Sequence, residues 1–314
     1  TSQSYIELSL ITLECNQKEL SKKLKVSPTQ ISKWKSGDFM SKDFREKFDQ
    51  INGLSKLDIY PEEVLAAASI ENVKKWKSLI NHIAEIAIFY NETGVESSSL
   101  SDRDNSGLFH NTFQILQDIG ITIPKDFPDE LNIKNDKVLF EETDHSNNTI
   151  PYIIYNIFIS LQNIEAFCAS YLYNDLWELE DDDLASSFEY NLIHLATTKL
   201  VKIKESIAPK FKDYKYEWTA QYMEWVDQLK NKFYNKGIPI KVELRDLLKD
   251  SDDDIGQKAE FHSLGFEKEL KIHPDIYMNE LLISIRTINF ALPEILKKLD
   301  IELDHSELRK TIYE

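Results

Sequence analysis

The sequence predicts an all-α chain, with an N-terminal domain of short helices followed by a larger acidic helical domain. Three observations carry this. Glycine and proline are scarce, 8 and 9 in 314 residues, so the punctuation that many β-turns require is missing. Leucine, lysine and glutamate, all good helix formers, are abundant. Apolar residues also recur at helical spacing, as in Val73, Trp76, Ile80, Ile83, Ala84, Ala87 and Ile88. With 42% hydrophobic and 29% charged residues, the composition is that of a chain with a packed core, not of a disordered one.

Taken in order, residues 1–69 read as a compact domain of short helices, with Pro61 suited to the first turn of one of them. Residues 70–107 read as a connecting helix and a linker, the linker being the polar, Ser-rich "NETGVESSSLSDRDNSG" from Asn91 to Gly107. Residues 108–314 read as the acidic helical domain, for dimerisation, sensing or partner binding. Its helices are predicted near Leu108–Ile119, Tyr152–Trp177, Leu184–Ser206, Tyr214–Tyr234, Pro274–Leu299 and His305–Tyr313. Pro293 should kink or split the fifth of these, because it lacks an N–H and crowds the preceding turn. Gly237–Leu244 reads as a short strand and Asp126–Thr149 as a surface loop. A weak echo links Ile115–Ile123 to Ile295–Leu303, without the signature of a helical repeat.

The net charge of −17 and the pI of about 4.9 argue, for the whole chain, against binding nucleic acid. The average conceals an asymmetry. From Cys15 to Lys47 there are nine bases (Lys18, Lys22, Lys23, Lys25, Lys33, Lys35, Lys42, Arg45, Lys47) against four acids (Glu19, Asp38, Asp43, Glu46). That leaves +5 on this stretch and −22 on the remainder. Such a split reads as a basic module joined to an acidic body.

The two cysteines, Cys15 and Cys168, have no metal-ligand spacing around them, which argues against zinc and against a disulfide framework and fits a reducing cytosol. No signal peptide is read at the N-terminus. The most apolar stretch, Pro151–Trp177, is interrupted by Asn156, Gln162, Asn163, Glu165, Asn174 and Asp175, so a buried core helix is expected there, not a membrane span. A cytoplasmic chain without membrane contact is the expectation. The aromatic residues of this stretch, Tyr152, Tyr155, Phe158, Phe167, Tyr171, Tyr173 and Trp177, read as core material and also as material for a dimer interface.

The informative segment is "VSPTQISKWKSG", Val26 to Gly37. Asn16 can cap a helix from Gln17 on which Leu20 and Leu24 share a stripe. Ser27 before Pro28 reads as an N-cap followed by a first-turn proline, and Ser27 with Gln30 has capping-box form. Ile31 and Trp34 share one face, directed at Leu20, Leu24, Phe44 and Phe48, and Gly37 supplies a left-handed stop. Thr29, Ser32, Lys33 and Ser36 occupy the opposite face, flanked by Gln30 and Lys35. Short polar and basic side chains on an outward helix face suit the major groove, where lysine donates to guanine, glutamine pairs with adenine and a threonine methyl meets a thymine methyl.

The pattern Gln17-x-x-Leu20-Ser21-x-x-Leu24-Lys25-Val26-Ser27-x-x-Gln30-Ile31-Ser32-Lys33-Trp34-x-x-Gly37 resembles the helix-turn-helix of the Cro and phage-repressor family, the XRE family. The resemblance is confined to the N-terminal domain. It implies a lambda-repressor-like fold of five helices over roughly Tyr5–Ser69, and binding of double-stranded DNA as a homodimer on half-sites about one helical turn apart. It also implies that Gln17 meets a phosphate, that Thr29 and Lys33 face bases, and that Lys35, Lys42 and Arg45 serve as phosphate contacts. Three residues depart from the family pattern: Lys25 where glycine is usual in the turn, Ser21 where alanine is usual, and Pro28 where many members place a base-reading glutamine.

The acidic domain lacks the common phosphate-loop, dinucleotide, zinc-protease and acyl-transfer signatures, so no enzyme, cofactor or catalytic residue is expected. "DSDDDIG" (Asp250 to Gly256) fails as a calcium loop because its glycine and glutamate are out of register. The acidic run Glu178–Asp183 reads as a helix end followed by a helix start. The leading expectation is a sequence-specific DNA-binding transcription regulator. The alternative is a protein-interaction component of a toxin–antitoxin or phage-defence system. There the acidic domain would bind a peptide or protein, and the helix-turn-helix would serve autoregulation or targeting.

Overall fold

The computed structural model describes residues 1–101, 106–131, 149–201, 203–236, 244–248, 254–264 and 274–300. Every regular element among them is helical. Four short helices come first: α1 (Ser2–Thr12), α2 (Gln17–Leu24), α3 (Pro28–Lys35) and α4 (Lys42–Asn52). They enclose a small core of Ile6, Leu20, Ile31, Trp34, Met40 and Phe48. Helix α5 (Pro61–Ala67) packs on both α1 and α6 (Ile70–Phe89) and leads into the body.

The body comprises α6, α7 (Ser98–Ser101), α8 (Ser106–Asp118), α9 (Ile150–Tyr171), α10 (Tyr173–Glu178), α11 (Asp182–Thr198), α12 (Phe211–Lys236) and α13 (Ile255–Ser263). Its centre is α9, which packs against α6, α10, α11 and α13. Apolar residues line α9 on nearly every side, as a helix enclosed by others requires. The approach of α13 is close: a Cβ on Gly256 would lie 2.5 Å from the Asn163 carbonyl oxygen, so only glycine fits there. The last described helix is α14 (Pro274–Leu299).

Several expectations change. Helix α6, read as a connector, is a core element, with Val73, Trp76, Leu79, Ile80 and Ile83 fully buried. Part of the segment read as a linker is packed: Thr93, Ser97 and Leu100 are buried, and Ser99 donates to the Glu165 carboxylate at 2.6 Å. The helix expected over Tyr152–Trp177 is interrupted at Leu172, a turn residue with φ −119° and ψ −41° that separates α9 from α10. The helix expected to reach Ser206 ends at Thr198. Pro293 does not split α14, which runs through it as one helix. Leu244 of the expected strand opens a 3₁₀ turn, Leu244–Leu248, and the rest of that strand, 237–243, lies outside the described residues. Most of the expected surface loop (132–148) and the whole helix at His305–Tyr313 also lie outside them.

Of the aromatic residues expected to serve core or interface, Phe158, Phe167 and Tyr171 are buried in the core, Tyr152, Tyr155 and Tyr173 are half-buried, and Trp177 on α10 is 86% exposed. Asp181 caps α11, its carboxylate accepting from the Leu184 N–H at 3.0 Å and pairing with Lys232. The Lys232 ammonium and this cap hold the Asp181 carboxyl below its ordinary range. In the body, His194 lies flat on Trp218, ring centroids 3.8 Å apart, and its Nδ1 shares a hydrogen bond with the Tyr214 hydroxyl at 2.7 Å. Burial lowers this imidazole to about 4, so it is neutral in the fold.

The small core and the body meet through more than a chain connection. Leu8 of α1 and Leu54, just after α4, are buried in the body's core. Beside them, His110 of α8 donates from Nδ1 to the buried Glu63 carboxylate of α5 at 3.0 Å, and its ring lies 4.7 Å from that of Tyr60. The bond to Glu63 raises the His110 imidazole above its ordinary value.

Candidate nucleic-acid interface

The two-helix unit is built from local signals. Asn16 accepts from the Glu19 N–H at 3.1 Å while the Glu19 carboxylate accepts from the Asn16 N–H at 3.0 Å, a reciprocal cap at the start of α2. Ser27 accepts from the Gln30 N–H at 3.1 Å, with Pro28 at the first position of α3. Among the described residues the Gln30 side chain makes no return bond, so the capping box expected there is half formed. Helix α3 ends at Lys35 and the chain turns at Gly37, whose φ of +98° is left-handed.

The turn between the helices rests on Lys25, with φ 55° and ψ 41°. This is the left-handed region that glycine occupies without penalty and that a residue with a Cβ occupies at a cost of about 1–2 kcal/mol. The turn therefore keeps the geometry that glycine would give and carries strain in its place. Ser21, where alanine was the expected type, is buried, and its hydroxyl donates to the Lys18 carbonyl at 2.8 Å. That bond satisfies a polar group that would otherwise be costly at a helix crossing.

Ile31 and Trp34 face inward as the spacing requires. Trp34 is 2% exposed, packs on Phe44 and Phe48 at ring separations of 4.8 and 6.0 Å, and donates from Nε1 to the Phe39 carbonyl at 3.2 Å. Tyr5 packs on Phe48 at 5.9 Å; burial, aided by nearby Asp49, pushes its phenol up to about 12.

On the other side of α3, Thr29, Ser32, Lys33, Lys35 and Ser36 are exposed and Gln30 is half-buried. The Ser36 hydroxyl donates back to the Lys33 carbonyl at 2.8 Å, which leaves its oxygen as an acceptor. Gln17 is half-buried in the first turn of α2. Lys42 and Arg45 on α4 are exposed. Lys42 lies 4.0 Å from Glu46, a surface pair of little strength. Arg45 is more committed: its Nε donates to the Met40 carbonyl at 3.1 Å and its guanidinium lies 5.8 Å from the Phe39 ring centroid.

All nine bases between Cys15 and Lys47 are exposed, and among the described residues Lys42 alone has a carboxylate within ion-pair distance. Eight positive charges are thus available to an external anion. Reasoning from the sequence did not single out Phe39, which stands 82% exposed just beyond α3 beside a shallow groove lined by Val26, Ser27, Gln30, Trp34, Ser41 and Phe44. A phenylalanine inside the polar "SGDFMS" turn was the available signal.

Elsewhere the described residues contain no cluster of three or more potential metal ligands, and the start of the rejected calcium loop, 250–253, lies outside them. Cys15 and Cys168 are unpaired, and burial raises the Cys168 thiol. No described helix is long and apolar enough to cross a membrane. Comparisons with family models, with characterised proteins and with solved structures returned no match to this chain.

Proposed function

We propose that this chain is a sequence-specific DNA-binding transcription regulator. In this reading α2 and α3 are a helix-turn-helix, α3 enters the major groove, and the acidic body is the effector and oligomerisation domain. One observation carries it. Helix α3 is capped at its start, anchored inward by Ile31 and Trp34, and left with Thr29, Ser32, Lys33 and Ser36 outward among exposed bases of which, among the described residues, Lys42 alone has an acidic partner. Lys33 and Thr29 then read bases, and Gln17, Lys35 and Lys42 meet phosphates. Arg45, held to Met40 and Phe39, serves as a backbone contact of fixed geometry. The −22 outside residues 15–47 fits the same reading, since it repels DNA from every face but the basic one. Two copies would read two half-sites.

The test uses the full chain. Selection from fragmented genomic DNA, followed by gel shift, should enrich a two-fold sequence bound with steep salt dependence. Lys33→Ala should weaken the specific site by about 1–3 kcal/mol and relax its preference at one position, and Lys42→Ala should weaken all sequences alike. No enriched sequence and no shift at low salt would refute the reading.

A further inference from the structure

We infer that the pairing of His110 with Glu63 is a pH-sensitive latch at the joint between the N-terminal unit and the body, fastened while His110 carries its proton and loosened when it loses it. The joint is α5. Both α1 and α6 pack on it, and its Val64 and Ala67 are buried in the body's core. The backbone is left-handed on either side of it, with φ 66° at Lys56 and 64° at Ala68, residues whose Cβ disfavours that region. A segment entered and left in this way is held by its contacts, not by its own preference.

One of those contacts is ionic and buried. Glu63 is 3% exposed. One carboxylate oxygen accepts from the Tyr60 N–H at 2.9 Å and closes the first turn of α5; the other accepts from His110 Nδ1 at 3.0 Å. Among the described residues no lysine or arginine lies within ion-pair distance of this carboxylate. It therefore faces a cation only while the imidazole is protonated, and a buried charge that loses its partner is strongly disfavoured. The Tyr60 ring, 4.7 Å from the imidazole, supports the protonated form. Glu62 of α5 acts in the same sense, and the Thr1 ammonium, 2.8 Å from Glu62, acts against it. Among the described residues neither α6 nor α11, which also pack on α8, brings a further charge within ion-pair distance of the pair. The His110 side chain is 32% exposed, so solvent can deliver and remove its proton.

The sign follows from the fold's hold on that proton. The bond to Glu63 raises the imidazole above its ordinary value, so the latch is complete below about 6.5 and is lost as pH rises through the higher midpoint of the folded chain. This is opposite to His194, whose contribution is lost in acid. The inference stands without the DNA reading, because the deciding measurements contain no DNA.

Amide hydrogen exchange of the full chain from about pH 6 to pH 9, corrected for intrinsic rates, reads the opening of α1 and α5. Their opening should rise with pH along the titration curve of one group while α9 stays flat. The rise should be about tenfold for each pH unit by which the His110 midpoint, measured by NMR, lies above its ordinary value. His110→Gln, which keeps a donor but cannot titrate, should open α5 at every pH to the level of the wild type at pH 9. Glu63→Gln keeps an acceptor for the Tyr60 N–H; it should return the His110 midpoint to its ordinary value and flatten the profile. A flat wild-type profile overturns the proposal. So does a rise shared equally by α9, or one that survives in His110→Gln or Glu63→Gln. Should either variant fail to fold by circular dichroism, the wild-type profile set against its NMR midpoint decides.

Discussion

Helices α3 and α9 are both short on charge inside and both carry aromatic residues, yet they are held in opposite ways. Helix α3 has two buried residues, Ile31 and Trp34, and otherwise depends on its cap and turns. Helix α9 has thirteen buried residues and neighbours on nearly every side. A helix meant to present a face must spend few residues on anchoring, so each anchor carries a large share. A helix that organises a core can lose one contact and stay in place.

The strongest way to break this comparison is Trp34→Ala. It removes the largest side chain of a six-residue core and should cost about 3–5 kcal/mol. The expected result is loss of the first four helices and, on the proposed function, of DNA binding, with the body's helicity retained in a separate, later transition on heating. A single transition shifted for the whole chain would mean that the two cores unfold as one.

Acid should act on the body instead. The fold lowers the His194 imidazole to about 4, so the unfolded chain binds more protons from its ordinary value near 6.5 down to about 4. Stability from this group is present at neutral pH and is lost as pH falls through that window, by up to about 3 kcal/mol. Urea denaturation followed by tryptophan fluorescence at pH 7 and pH 4.5 measures it, and His194→Gln should flatten the slope. The first 69 residues contain no histidine, so the small core should lack this term.

The smallest effect expected is a gain. Lys25→Gly should relieve the left-handed turn and stabilise the first four helices by about 1 kcal/mol, read as a shifted denaturation midpoint with unchanged slope. No gain would mean that the entropy added to the unfolded chain offsets the relief.

The N-terminal unit was legible because its signals are local. Asn16, Ser27, Pro28 and Gly37 each act within a few residues, and Ile31 and Trp34 could face only one way. Asp181 was legible for the same reason. The helix bounds of α14 were also readable, Pro274 to Leu299 as found. Its exposure, with Leu281, Ile285, Ile288 and Leu292 open to solvent, was not, since a 3-4 apolar stripe is written identically for a buried helix and for an exposed one. The break at Leu172 and the burial of α6 depend on packing between distant segments, which no local pattern records. The echo between Ile115–Ile123 and Ile295–Leu303 has a plain local cause: both contain a helix end followed by a left-handed residue, Gly120 in one and Asp300 in the other.

Leu8 and Leu54 reach out of the small unit into the large core. If the small unit reads DNA as proposed, a head mounted this way has no slack. If two copies are joined through their bodies, the distance and phase between their α3 helices are fixed by the protein rather than searched by a tether. Such a pair would tolerate a changed base more readily than a changed spacing. Inserting half a turn of DNA, about five base pairs, between the half-sites would put one of them on the wrong side of the duplex.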